Sequence, residues 1–197
     1  NGGIYVVNNG NRPLLIERAT SAGSDGNISI ANGGGANAGI QVKKITAGSS
    51  TVTLASTGSI EDARTDKTAA NISAGRLNVS ADRGVGNNGE LALNVNYLAA
   101  SGGSGAVHAA NTGAIIVDAD SLQGKGASKV SITATDITIL NQNGGTIQMD
   151  TGGSLELIAT VGHIVFLNTA DTIELWADAQ GNGGDVTMSA LGESRLG

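Results

Sequence analysis

Two carboxylates stand two residues apart in the middle of the chain, at Asp118 and Asp120, and Asp136 and Asp171 follow at longer intervals. Residues two apart on a β-strand share a face, so the first pair could act together in acid–base chemistry. Glycosidic bond hydrolysis needs two carboxyl groups held at a set distance. Basic companions are scarce nearby, and we interpret these carboxylates as a solvated face or a strand-end turn. An enzyme that degrades polysaccharide is therefore the weakest functional hypothesis.

Metal and cofactor chemistry has little support in the residue types. The only histidines, His108 and His163, lie in unrelated parts of the sequence, so a metal pair or a catalytic triad would have to be assembled by chance. The stretch GNGGD, residues 181–185, matches half of a calcium-binding nonapeptide, but that motif needs tandem repetition and occurs once. We expect no metal, no cofactor and no catalytic residue.

Three Asn-X-Ser sequons begin at Asn27, Asn71 and Asn78. The motif is an acceptor for N-glycosylation, but it is short and these three copies abut predicted strands. Glycosylation stays an open alternative at this stage.

The composition indicates a thin and regular core. Of 197 residues, 40% are hydrophobic, yet the aromatic residues are only Tyr5, Tyr97, Phe166 and Trp176, and 31 residues are glycine. Few side chains could fill a wide interior, so the core must be built from Ile, Val, Leu and Ala. Cysteine is absent, which excludes a disulfide framework and thiolate metal sites.

Charge and hydropathy exclude two classes of partner. The net charge is -6, and we expect no nucleic-acid partner because phosphate neutralisation needs a basic face. The longest apolar runs are about four residues, far below a bilayer span, so we expect no membrane insertion. The first residues, NGGIYVV, lack Met and a signal-peptide pattern, and we expect the chain to be a piece of a longer protein.

Apolar residues alternate with polar ones throughout the chain, which is typical of half-buried β-strands. No window shows the spacing of three and four that an amphipathic helix needs. Gly-rich separators such as NGGGANAG, SGGSG and NQNGG lie between the alternating stretches. The chain is predicted to be all-β, with inward sets at Ile28/Ile30, Ile40/Val42, Val52/Leu54, Leu77/Val79, Leu91/Leu93/Val95, Ile115/Val117, Val130/Ile132, Ile137/Ile139, Ile147/Met149, Leu155/Leu157, Ile164/Phe166, Ile173/Leu175 and Val186/Met188.

Asn-Gly steps could make hairpin turns, so an antiparallel sandwich is one alternative. A longer repeat favours another: NISI at 27–30 matches KVSI at 129–132, and TGSI at 57–60 matches VGHI at 161–164. These offsets divide the chain into two divergent copies, about 1–103 and 104–197, within one β-solenoid segment spanning 1–197. Coils of about 20 residues would give about ten coils. At this offset His163 aligns with Ser59, which predicts a turn position rather than a site.

The stretches VTLASTGSIEDA, NISAGRLNVSADRGVG and LALNVNYLAASGGSGAVHAANTGAIIVDA resemble the repeat of filamentous haemagglutinin-like exoproteins and related giant bacterial adhesins. The resemblance covers residues 1–135 and implies a right-handed parallel β-helix in the shaft of a large secreted protein. The secretion motif with an NPNG-like element is absent from the sequence. Positions that match the repeat are Gly58, Ile60, 72–75, Leu77, Val79, 84–86, Val95, Leu98, Ala100, Val107, Gly113, Ile115 and Val117.

One set of outward positions is a candidate partner surface. If the inward pairs near the C-terminus face the core, strand alternation turns Ile158, Val165, Leu167 and Trp176 outward. Exposed apolar patches of this kind mark contact surfaces, unless the residues fall on different sides of the coil. We call this set the predicted patch.

The sequence thus predicts a structural shaft segment of an extracellular or surface-displayed adhesin or filament, and not an enzyme. Its expected partners are neighbouring repeats of the parent chain, with self-association or a host surface glycan or protein as further possibilities. The alternative is a β-helix module that binds a carbohydrate or a host protein.

Overall fold

The computed structural model describes residues 2–23, 25–124, 129–140, 147–151, 153–167, 173–177, 184–191 and 195–196, the strands at 147–151, 173–177 and 195–196 by their backbone. Within these residues the chain forms short β-strands and one 3₁₀ turn, Ala119–Ser121. All strand pairs are parallel. The predicted parallel β-solenoid is confirmed, and the antiparallel sandwich is excluded.

Three ladders of stacked strands form the first half of the solenoid. Each coil contributes one strand to each ladder, and short connections join successive strands. The long strand β9 is the exception, since its two halves belong to two ladders. Ladder A contains β1 (Ile4–Asn8), β4 (Ile28–Asn32), β7 (Thr51–Ser56) and the second half of β9 (Ile72–Ala81). Ladder B contains β2 (Leu14–Ile16), β5 (Ile40–Val42) and β8 (Ile60–Asp62). Ladder C contains β3 (Ala19–Thr20), β6 (Ile45–Thr46) and the first half of β9.

A long strand, β10 (Leu91–Ser101), connects the two halves by pairing with β9 before it and three strands after it. Ladder D then contains β11 (Val107–Asn111), β14 (Val130–Ala134), β17 (Leu155–Ala159) and β20 (Val186–Ala190). Ladder E contains β12 (Ile115–Asp118), β15 (Ile137–Leu140), β18 (Ile164–Leu167) and β21 (Arg195–Leu196). Ladder F contains β13 (Gln123–Gly124), β16 (Ile147–Thr151) and β19 (Ile173–Ala177).

One line of paired residues runs the length of the solenoid, and every position along it is apolar. It passes in eight steps through Ile4, Ile28, Val52, Leu77, Leu98, Val117, Ile139, Phe166 and Leu196. The expected number of about ten coils is therefore wrong, because eight steps along this line span the described strands. A step covers between 19 residues, from Leu98 to Val117, and 30 residues, from Phe166 to Leu196, because the corner connections differ in length.

The inward residues form one continuous apolar core that extends from Ala19 to Phe166, and Phe166 is its one aromatic member among the described residues. Leu77, Val117 and Ile139 have no exposed surface, as the alternation predicts. Close stacking also requires glycine at particular corners. Gly75 marks the bend of β9, where a Cβ atom would collide with the carbonyl oxygen of Ser49, and Gly86 has a φ of +70°.

Buried asparagines bond the backbone where the chain turns, a role that period-two alternation does not reveal. The Asn32 amide donates to the carbonyls of Gly39 (2.8 Å) and Arg12 (3.0 Å) and accepts from Asn8. Asn111 bonds the backbone N–H and C=O of Val95. These side chains satisfy corner groups that the ladders leave unpaired.

No helix in the described part of the chain is long and apolar enough to cross a membrane.

The division into two copies of about a hundred residues stays a prediction.

Candidate functional site

Asp118 and Asp120, whose spacing would put them on one face of a continuous strand, lie in different elements of the structure. β12 ends at Asp118, and Asp120 lies in the 3₁₀ turn that follows. Asp118 Oδ1 accepts a hydrogen bond from the Asp120 backbone N–H (3.1 Å), and its Oδ2 accepts one from the Tyr97 hydroxyl (2.8 Å). The two carboxylates therefore do not share a strand face, because Asp118 caps the turn that follows β12, as the interpretation of a strand-end turn predicts.

Asp118, Tyr97 and Arg76 form a cluster on the outer side of β9, β10 and β12. The Arg76 guanidinium lies 3.9 Å from the centre of the Tyr97 ring, and its Nη2 is 3.9 Å from Asp118 Oδ2. Burial, followed by the hydrogen bond to Asp118, raises the pKa of Tyr97 to about 12. The neutral hydroxyl is held as a donor, so the cluster fixes side-chain positions beside a groove of about 460 Å³ that includes Thr53, Asn78 and Ser101.

We expect Asp118→Asn to lower the pKa of Tyr97, because the variant removes the negative charge that disfavours the tyrosinate. Absorbance of the tyrosinate, measured against pH in a Tyr5→Phe background, isolates this one tyrosine. In the Tyr5→Phe parent, a titration midpoint near the usual value of about 10 would contradict the described cluster.

The two histidines lie in different parts of the fold and have different environments. His163 is exposed at the corner before β18, where its N–H donates to Asp136 Oδ1 (3.0 Å) and its carbonyl accepts from Ile137 (2.9 Å). The turn assignment is thus confirmed. His108 lies on the outer face of ladder D. Asp171 and residues 181–183 of the calcium-like stretch lie outside the described residues.

The sequons are not equivalent in the fold. Asn71 is fully buried, and its amide donates to the Val42 carbonyl (2.8 Å) and to Asp62 (2.7 Å) while its oxygen accepts from Ala92 (2.9 Å). Its side chain is therefore inaccessible for modification in the folded chain. Asn78 is half-buried and accepts from Arg76 Nε.

The predicted patch is distributed over three ladders. Val165 (half-buried) and Leu167 (52% exposed) share β18 on ladder E, whereas Ile158, also half-buried, lies on β17 of ladder D. Trp176 belongs to β19 of ladder F, and its side chain lies outside the described residues. Only two members thus share a strand, and a contact role for the set stays a prediction.

The sequence interpretation missed a cluster of charged side chains in the connection between β8 and β9. The connection between β8 and β9 spans nine residues, 63–71, whereas the corresponding connections after β2 and β5 span two residues each, 17–18 and 43–44. The side chain of Asp62, at the start of the long connection, is 1% exposed. It accepts from Arg64 Nε (3.0 Å) and Nη2 (2.9 Å), from Lys67 Nζ (2.5 Å) and from Asn71.

Burial alone would raise the pKa of Asp62, but the hydrogen bonds from Arg64, Asn71 and Lys67 hold it far below its usual range. The carboxylate is therefore charged at neutral pH and fixes both cations in place. The sequence signal for this cluster is a local concentration of charge. The stretch EDARTDK at 61–67 carries five charged residues in seven, in a chain that is 14% charged. We call Asp62, Arg64, Lys67 and Asn71 the corner cluster.

A second charged group lies on the outer face of ladder D. Glu156 accepts from Lys129 Nζ (2.6 Å) and Ser131 Oγ (2.7 Å), and these bonds lower its pKa. Among the residues that the structure describes, no group of three or more His, Asp or Glu side chains could hold a metal ion.

Together the ladders and core define the class of this protein as a parallel β-solenoid. Comparison with protein-family models, curated proteins and solved structures gives no match.

Proposed function

We propose that this chain is a structural segment of the shaft of a large secreted or surface-displayed protein of the adhesin type. The observation that carries the proposal is the apolar line from Ile4 to Leu196, which keeps its register while outer residues and connections vary. In a solenoid each coil contacts only its neighbours, so extension and resistance to unfolding depend on stacking rather than on one site. The resemblance of residues 1–135 to adhesin repeats supports the extracellular setting.

The proposed partners of the outermost coils are neighbouring repeats. Val6 pairs in register with the buried Ile30, yet it is 36% exposed, and Met188 pairs with the buried Leu157 and is 46% exposed. These inward positions would be covered by another stacked coil. Apolar core positions at an open end of a solenoid favour stacking over free exposure to water.

Removal of one whole coil tests the shaft assignment. Deleting residues 27–50 removes β4, β5 and β6, one strand from each of ladders A, B and C, and leaves β1 to pair with an intact β7. We expect this variant to fold and unfold cooperatively, with a rod shorter by about 5 Å, the spacing between strands. Circular dichroism melting and small-angle X-ray scattering check the two expectations.

The matched control deletes residues 28–39, which removes β4 but keeps β5 and β6. It is expected to lose cooperative unfolding, because every later strand would then stack on a strand of a different ladder. Equal tolerance of both deletions would contradict an in-register shaft.

Antibodies against this chain test the proposed location. They should label intact cells of the source organism, and labelling only after permeabilisation would refute surface display.

A further inference from the structure

The outer face that ladders A and E share carries almost no charge. It is formed by β7, the second half of β9, β10 from Tyr97 onward, β12, β15 and β18, which stack in register. The only charged side chains that point outward on these six segments are Arg76 and Asp118, and they lie 3.9 Å from each other. Asp120 and Asp136 border the face in the adjoining turns. A chain with a net charge of -6 thus has a neutral face six strands long.

The C-terminal half of this face carries large aliphatic side chains. Ile116 is 36% exposed, Leu167 is 52% exposed, and Leu140 and Val165 are half-buried. Ile116 and Val165 lie on one register line through Thr138, and Leu140 pairs directly with Leu167. We call Ile116, Leu140, Val165 and Leu167 the ridge; it retains the two members of the predicted patch that share β18. Contiguous exposed apolar side chains of this kind mark contact surfaces.

The N-terminal half of the same face is hollow. Its outward residues are short and lie on two register lines, Ala55–Ser80–Ser101 and Thr53–Asn78–Ala99. All six line the groove of about 460 Å³ beside Arg76. Ala99 points outward yet is only 9% exposed, as expected for a residue at the bottom of a hollow. The face therefore combines a projection and a depression of similar length.

The positions of the ridge and the groove allow two copies to fit each other. The ridge occupies β12, β15 and β18, and the groove occupies β7, β9 and β10, three successive strands in each case. A two-fold axis perpendicular to the face, between Ala99 and Asp118, places β18 on the partner's β7, β15 on its β9 and β12 on its β10. Leu167 then lies opposite the partner's Thr53, and Val165 lies opposite the partner's Ala55. Such an interface is isologous and closes at two copies.

Charge favours a second copy over a different protein as the occupant. The face offers no unpaired charge to a basic or an acidic partner, because Arg76 and Asp118 neutralise each other. Two copies that each carry a net charge of -6 repel each other, and a neutral face is where they can approach with the least repulsion.

We propose that two copies of this chain associate side by side and antiparallel through this face, with each ridge in the partner's groove. Six strands at a spacing of about 4.8 Å, each about 13 Å long, give about 400 Å² of flat area per copy. Interfaces of this size are typical of weak, reversible association. The inference goes beyond the shaft assignment and does not depend on it.

Sedimentation equilibrium of the whole chain, at concentrations from about 10 μM to about 1 mM, tests the proposal. We expect a reversible equilibrium between monomer and dimer that shifts toward dimer when salt screens the repulsion between the acidic copies. A chain that stays monomeric at about 1 mM would overturn the proposal and leave the face to a different protein.

Two variants and a control locate the interface. Leu167→Asp would bury an unpaired carboxylate twice per dimer and should weaken association at least about 10-fold. Ala55→Gln fills the groove without a charge and should also weaken association, so the test does not rest on one variant. Leu15→Asp is the matched control, because Leu15 is a leucine of similar exposure, 44%, on β2 of ladder B. Equal loss in Leu15→Asp would refute the located face.

Crosslinking tests the antiparallel arrangement. Thr53 and Leu167 lie five strand spacings apart within one copy, about 24 Å, whereas packed sheets lie about 10 Å apart. The chain lacks cysteine, so a thiol-specific crosslinker of about 10 Å should join Thr53→Cys/Leu167→Cys into a covalent dimer and leave Leu167→Cys alone uncrosslinked. Efficient crosslinking of Leu167→Cys alone, or none in the double variant, would overturn the antiparallel arrangement.

Discussion

Replacement of Leu77 by alanine is expected to lower the free energy of unfolding by about 2–5 kcal/mol. Leu77 has no exposed surface and pairs with Val52 on one side and Leu98 on the other, so its removal opens a cavity between three coils. The core is closely packed, so few neighbours can move to fill the space. Urea unfolding followed by circular dichroism measures the change.

Thr53→Ala is the matched control for Leu77→Ala. Thr53 lies on the outer face of β7, one residue after the Leu77 partner Val52, and is half-buried. We expect a change within about 0.5 kcal/mol, as for an ordinary surface substitution. Similar losses in the two variants would contradict the assignment of inner and outer faces.

Asp62→Ala is expected to destabilise the chain by about 3–5 kcal/mol at pH 7, the cost of breaking a buried ion pair. The substitution removes the acceptor of Arg64, Lys67 and Asn71 at once and leaves two of these groups buried. Glu17→Ala, which breaks an exposed pair with Lys43, should cost less than about 1 kcal/mol.

The effect of Asp62 depends on pH in a definite direction. The pKa of Asp62 is lower in the folded chain than the unfolded value of about 3.9, so the carboxylate stabilises the fold fully above that value. The stabilisation is lost as the pH falls through the folded-state pKa. The difference in unfolding free energy between wild type and Asp62→Ala should therefore be constant from pH 5 to 7 and shrink at more acidic pH. A difference that grows on acidification would contradict the cluster.

Alternation predicted the core residues of the stacked coils, whereas Val186 and Met188, which were assigned inward by the same spacing, are 40% and 46% exposed. Ile28, Val117, Leu155 and Phe166 were assigned inward from period-two spacing, and all four are buried. This works because side chains on a strand point alternately to opposite faces, whatever the strand pairs with. The number of coils was not predictable in the same way, because a corner connection of two residues and one of nine are both compatible with stacking.

The candidate site was harder to predict for a physical reason. Asp118 and Asp120 share a face only if the strand continues, and it ends at Asp118. Conversely, Glu61 and Arg64 are brought beside Asn88 by the stacking of successive coils and by the fold of a long connection, which a linear pattern does not encode. The charge density at 61–67 was the one available signal.

The most direct test of parallel stacking is a single distance between two residues that are remote in sequence. Val7 and Gln123 are exposed and are linked by five register steps through Ala31, Ala55, Ser80 and Ser101. The chain lacks cysteine, so Val7→Cys/Gln123→Cys can be spin-labelled specifically and measured by pulsed electron paramagnetic resonance. The solenoid predicts one narrow distribution centred at about 24 Å, five strand spacings. A broad distribution, or one centred far beyond that distance, would contradict the stacked coils.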